Sequence, residues 1–183
     1  QGLARILRDQ GEAFGRHYGV ALQLVAVCTR SRGVVYNPAG LDAGELLEAI
    51  ERNGRLARLP GQHDLTTEQV IGQANADVLV ELSPTNLFDG EPATSYIRQA
   101  IARGLHVVTA NKGPVALHLA ELRRLASEAG VYLGYEGTVM SGTPALRLAW
   151  SSLAGCEINE IRGIVNGTTN YILTQMEAGM SYA

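Results

Sequence analysis

Lys112 is the one lysine among 15 lysine and arginine residues, and it closes the run Thr109-Ala110-Asn111-Lys112 before Gly113-Pro114. Arginine serves for solubility and ion pairing. A compact ammonium is better suited to shifting its pKa and exchanging a proton, so Lys112 is the first candidate for chemistry. An arginine-rich composition also lets an occasional lysine stand on the surface, and only its position in the fold separates the two readings. It follows the apolar, strand-like stretch Leu105-His106-Val107-Val108.

Other segments carry polar groups at similar stations. Ser83, Thr85 and Asn86, in Glu81-Leu82-Ser83-Pro84-Thr85-Asn86, offer hydroxyl and amide groups to a nicotinamide ribose or carboxamide, although the same residue types build ordinary turns. Thr29-Arg30-Ser31-Arg32 has no acid where one would accept the ribose hydroxyls of NAD. Arg30 and Ser31 instead suit the extra phosphate of NADP, with solvated surface arginines an equal alternative. The segment 136–144 offers one carboxylate, Glu136, among turn-exposed carbonyls. Oxygen donors alone suit a hard monovalent cation, and a hinge between domains would look the same. The stretch 163–171 places polar donors at a helix N-terminus, where backbone N–H groups favour a carboxylate. Thr168 there could equally be a plain cap. The histidines at 17, 63, 106 and 118 have no metal-ligand spacing, and no P-loop, nucleophile elbow or zinc motif occurs.

The elements that must hold these groups read as alternating α and β. Short apolar runs at 22–28, 77–82, 105–109 and 131–135 are strands of the kind buried on both faces. Between them, 42–53, 91–103 and 114–129 have helical spacing and are followed by Gly54, Gly104 and Gly130 as stops. A helix runs from the start of the chain, through Leu3, Ile6 and Leu7. This pattern predicts an α/β fold with a doubly wound, Rossmann-type parallel sheet, in which ligands bind beyond the carboxyl ends of the strands. Such a domain opens with a strand and a glycine-rich turn, and the chain is expected to start just after that turn. Past Tyr135 the character changes. A helix at 144–153, a strand at 157–165 and a helix at 168–178 are expected, as the start of an α+β substrate and dimerisation domain. The division falls into 1–136, the nucleotide-binding part, and 137–183.

Composition excludes several classes. Net charge is −3 and the arginines are scattered, which argues against nucleic acid. No apolar run reaches the roughly 20 residues that span a bilayer, and no signal peptide is visible. Two cysteines, Cys28 and Cys156, fit reduced thiols in a cytoplasmic protein.

Three stretches, Ala110-Asn111-Lys112-Gly113-Pro114, residues 136–144 (EGTVMSGTP) and residues 163–173 (GIVNGTTNYIL), resemble homoserine dehydrogenases in order and spacing. Gln1-Gly2-Leu3 looks like the tail of that family's glycine fingerprint. The resemblance implies an NAD(P)-dependent enzyme interconverting L-homoserine and L-aspartate 4-semialdehyde, on the route to threonine, methionine and isoleucine, and a homodimer at full length. It implies that Lys112 lies beside nicotinamide and substrate. It matches Glu136 and the carbonyls of Val139, Ser141 and Thr143 to a sodium site, and Gly167 and Thr168 to the amino-acid end of the substrate. By the family's pattern the cofactor glycines precede residue 1, and the acidic substrate-binding residues and the principal catalytic lysine follow residue 183. The chain alone is then expected to be inactive, and a non-catalytic nucleotide-binding or regulatory module is the competing reading.

Overall fold

The computed structural model describes residues 1–182. It opens on helix α1 (Gly2–Tyr18), which ends where Gly19 adopts a left-handed conformation and its N–H bonds to the Gly15 carbonyl. Leu24–Thr29 (β1) turns back directly into Gly33–Leu41 (β2), an antiparallel hairpin with Val27 opposite Val35 and Thr29 opposite Gly33. Helix α2 (Ala43–Asn53) starts at Asp42, whose carboxylate accepts the Glu45 N–H at 2.8 Å. Its apolar face, Leu46, Leu47 and Ile50, packs with Val35, Leu41, Leu56 and Ala4 of α1 into one core.

The short helix α3 (Thr67–Gln73) is set by a capping box, in which Thr66 and Gln69 exchange side-chain bonds with each other's backbone N–H. Three strands follow: β3 (Val78–Glu81), β4 (His106–Thr109) and β5 (Leu133–Gly134). They form a parallel sheet in the order β3-β4-β5, with crossover helices α4 (Ala93–Ala102) and α5 (Lys112–Ala129). Ile97, Ala100, Ile101, Leu122 and Ala126 of these helices bury Val107 and Leu105 in a second core. Tail elements are the turn of 3-10 helix Glu136–Thr138, helix α6 (Ala145–Arg147) running into a π-turn at Leu148–Ser152, and α7 (Gly167–Glu177).

The mixed α/β fold with a parallel sheet agrees with the pattern of the sequence, and two expectations are corrected. First, among the described residues β1 forms no ladder with β3, β4 or β5. Its hydrogen bonds go to β2, a strand the sequence reading left out, because the tight turn at residues 30–32 returns the chain at once. Thr29 Oγ1 braces that turn by donating to the Gly33 carbonyl at 2.8 Å and accepting the Arg32 N–H at 2.9 Å. The hairpin and the parallel sheet are separate sheets among the described residues. They are joined by packing through α3: Val70 and Ala74 lie against Tyr36, Val25 and Cys28, while Ile71 enters the core of the parallel sheet.

Second, residues 157–165 form no strand. Ladder hydrogen bonds need a neighbouring strand, and none is available to this segment among the described residues. Ile158, Ile161, Ile164 and Val165 remain exposed. The helix expected at 144–153 is also altered, its second half being wound as π rather than α.

Candidate functional site at the strand ends

The carboxyl ends of β3 and β4 are tied by a closed ring of hydrogen bonds. Glu81 and Thr109 are register partners, and both side chains are buried, with 4% and 1% of their surface exposed. Thr109 Oγ1 donates to Glu81 Oε2 at 3.1 Å, while Glu81 Oε1 accepts the Ser83 N–H at 2.7 Å. Thr109 Oγ1 also accepts the Asn111 N–H at 3.0 Å, and Asn111 Nδ2 reaches back to the Ser83 carbonyl at 3.2 Å. Asn111 Oδ1 accepts the Gly113 N–H at 3.1 Å, making Asn111 the N-cap of α5. Lys112 is therefore the first residue of α5, exposed beside a buried asparagine.

Gly113 is needed there for packing. A Cβ at this position would collide with the Asn86 carbonyl oxygen and come within 3.2 Å of the Gly90 Cα. Asn86 itself organises its loop: Nδ2 donates to Asp89 Oδ1 at 2.7 Å and to the Glu91 carbonyl at 3.1 Å, and Oδ1 accepts the Phe88 N–H at 2.9 Å. Both Nδ2 protons are thus committed within the loop, while Oδ1 keeps a second lone pair. Ser83 Oγ accepts a bond from Asn111 Nδ2 at 3.3 Å and keeps its own proton to donate; Thr85 is exposed.

Arg30 and Ser31 occupy the exposed hairpin turn at the end of β1. Among the described residues the Arg30 side chain makes no hydrogen bond or ion pair, unlike Arg98, which bridges Glu91 and Glu121 on α5.

The tail residues are held largely by backbone hydrogen bonds. Both oxygens of Glu136 accept backbone N–H groups at the start of α6, from Leu146 and Arg147 at 3.0 Å each. Met140 and Ser141 are left-handed, with φ of 53° and 54°, and curl the turn that carries Val139, Ser141 and Thr143. The Thr143 carbonyl accepts the Ala145 N–H at 2.8 Å. Among the described residues no group of three or more His, Cys, Asp or Glu side chains gathers for a metal. Gly167 and Thr168 open α7, but the cap is Asn166, whose side chain accepts the Thr169 N–H at 2.9 Å. Thr168 is left exposed and is not the cap.

The link between the tail and the parallel sheet is aromatic. Trp150 meets Tyr135 edge-on at 5.1 Å, and the Arg123 guanidinium of α5 lies 5.9 Å over the Trp150 ring. Burial raises the Tyr135 phenol above its ordinary pKa, with the Arg123 charge opposing that rise.

Two family models match the chain. That of the homoserine dehydrogenase NAD-binding domain covers residues 1–136, and that of homoserine dehydrogenase covers residues 144–183. The chain belongs to the homoserine dehydrogenase family. Among relatives, an NAD(+)-dependent homoserine dehydrogenase of Pseudomonas canavaninivorans is 46% identical over 100% of this chain and 52% of its own length. A homoserine dehydrogenase of Methanocaldococcus jannaschii is 40% identical over 97% of this chain and 52% of its own. A hyperthermophilic archaeal homoserine dehydrogenase solved in complex with NADPH superposes with a TM-score of 0.83 at 29% identity, over 98% of this chain and 53% of that one. The chain thus spans about half the length of the homoserine dehydrogenases it matches. No helix among the described residues is long and apolar enough to cross a membrane.

The residues that sequence reasoning passed over are Glu81 and Thr109. The available signal was an acid ending an apolar strand two residues before a serine, with a threonine at the same station on the next strand.

Proposed function

We propose that the chain is the cofactor-binding part of an enzyme that interconverts L-homoserine and L-aspartate 4-semialdehyde, within threonine, methionine and isoleucine biosynthesis. The family match along both segments carries this reading, and the exposed Lys112 at a parallel strand end supports it. Residues 1–136 form the nucleotide domain and 137–183 begin the substrate domain. The whole protein acts in the cytoplasm as a homodimer.

The residues present fit a nicotinamide dinucleotide. Arg30 has a free, exposed guanidinium suited to a ribose phosphate, and Ser31 beside it adds a hydroxyl. This favours NADP, with NAD the other candidate in view of the relative named for it. Ser83 and Thr85 orient the nicotinamide end. When bound, the nicotinamide supplies or accepts the hydride. Lys112 lies beside nicotinamide and substrate, where it assists binding and the transfer of a proton to the developing alkoxide. Gly167 and Thr168 hold the substrate's amino-acid end. Glu136 and the carbonyls of Val139, Ser141 and Thr143 form an oxygen-only donor set, whose chemistry suits sodium. Each Glu136 oxygen that accepts an amide retains a further lone pair for such an ion.

The test is NADPH oxidation by the purified full-length polypeptide with L-aspartate 4-semialdehyde. Turnover is expected. A protein that binds NADPH and leaves the aldehyde untouched would instead be a non-catalytic nucleotide-binding module.

A further inference from the structure

Glu81 lies outside the set of groups just assigned, yet its carboxylate is the most deeply enclosed acid at the strand ends. Burying an ionised carboxylate is costly unless strong donors replace its water. Here both replacements come from the segments that flank the site: the Ser83 N–H at 2.7 Å and the Thr109 hydroxyl at 3.1 Å. Through Thr109 the contact passes to the Asn111 N–H, and through Asn111 Nδ2 it returns to the Ser83 carbonyl. The ring closes on itself and has one free output, the start of α5. Asn111 is 2% exposed, so the Cα of Lys112 follows wherever the ring holds its neighbour.

We infer that Glu81 is a positioning residue, which fixes Lys112 and Ser83 relative to each other by bracing the ends of β3 and β4. This rests on the proposed function for its catalytic consequence. Glu81 is buried and acts through its neighbours. What it supplies is reach and two acceptor positions, so a side chain of the same length that bonds both partners should substitute for it. Glutamine does so in part, with its oxygen on the Ser83 N–H and its nitrogen donating to Thr109 Oγ1, a reversal that leaves the Thr109 hydroxyl proton without its acceptor. Alanine severs the ring. Thr109→Val breaks the same ring at the next link.

The experiment compares Glu81→Gln, Glu81→Ala, Thr109→Val and the Ala/Val double variant in the full-length enzyme. Misplacement of a catalytic group lowers kcat before binding, so Glu81→Ala should lose about tenfold or more in kcat with a smaller change in KM for NADPH. Glu81→Gln should recover part of that loss, since it keeps both contacts but reverses one. The double variant should be no worse than the poorer single, since both cuts open one ring. Amide hydrogen exchange over 82–86 and 109–113 provides a reading without turnover: it should accelerate in Glu81→Ala and clearly less in Glu81→Gln. Unchanged exchange in a folded Glu81→Ala protein overturns the bracing. Accelerated exchange with wild-type kcat, or losses that multiply in the double variant, overturns the positioning role. If the wild-type enzyme itself has no activity, the proposed function fails, and the exchange result alone decides the bracing.

Discussion

Gly113 lies against the Asn86 carbonyl oxygen so closely that no side chain fits between them, and this contact seats the start of α5 on the loop that follows β3. Added volume in a close-packed interface of this kind destabilises by about 1–3 kcal/mol. Gly113→Ala should lower the free energy of unfolding by that amount, and the denaturation midpoint with it. Because the displaced backbone adjoins Lys112, turnover should fall as well. Chemical denaturation alongside steady-state kinetics checks both, and an unchanged midpoint would contradict the tight contact.

Lys112→Arg keeps the positive charge but replaces a proton donor with one that does not readily release its proton. In the full-length enzyme kcat should drop by about 10²-fold, within the range that acid–base catalysis contributes. Near-normal turnover would remove Lys112 from proton transfer.

Arg30→Ala tests the phosphate argument. The loss of one charge-assisted bond should weaken NADPH binding about tenfold and leave NADH nearly unaffected. Fluorescence titration with each cofactor separates the cases. Equal effects on both would favour the NAD preference in the name of the Pseudomonas relative.

The two thiols should behave differently. Burial pushes the Cys28 thiol above its ordinary pKa, with Thr67 opposing and the Glu68 charge adding to the rise, whereas Cys156 is exposed. A thiolate-directed reagent at mild alkaline pH should therefore modify Cys156 at once and Cys28 only on unfolding, read by mass spectrometry. The folded state binds the Cys28 proton more tightly than the unfolded state does. Its contribution to stability is thus complete below the unfolded thiol's pKa and is lost as pH climbs from there through the folded value. Denaturation midpoints measured across that range should decline more steeply in wild type than in Cys28→Ser.

The strands and helices around the parallel sheet were readable because their apolar runs and glycine stops are local signals. Asp42 and Asn111 cap where side chains of their type are expected to. What could not be read depends on partners distant in sequence. The hairpin turned on whether β1 would bond to its successor, and residues 30–32 look the same in either case. The segment 157–165 has strand composition, but a ladder requires a second strand. At the site, Lys112 stood out by type and Arg30 by the missing acid. Glu81 and Thr109 are 28 positions apart, and only parallel register brings their side chains together. Asn86 reads two ways in the sequence, because a turn-forming amide and a ligand-binding one have the same identity until their bonds are traced.

The placing of Arg30 and Lys112 bears on how a dinucleotide would be gripped. Its phosphate-bearing ribose would meet Arg30 in the hairpin turn, and its reactive ring would meet Lys112 at the first residue of α5. A ligand of fixed span laid across both works as a clasp, so occupancy should stiffen the hairpin turn and the start of α5 together.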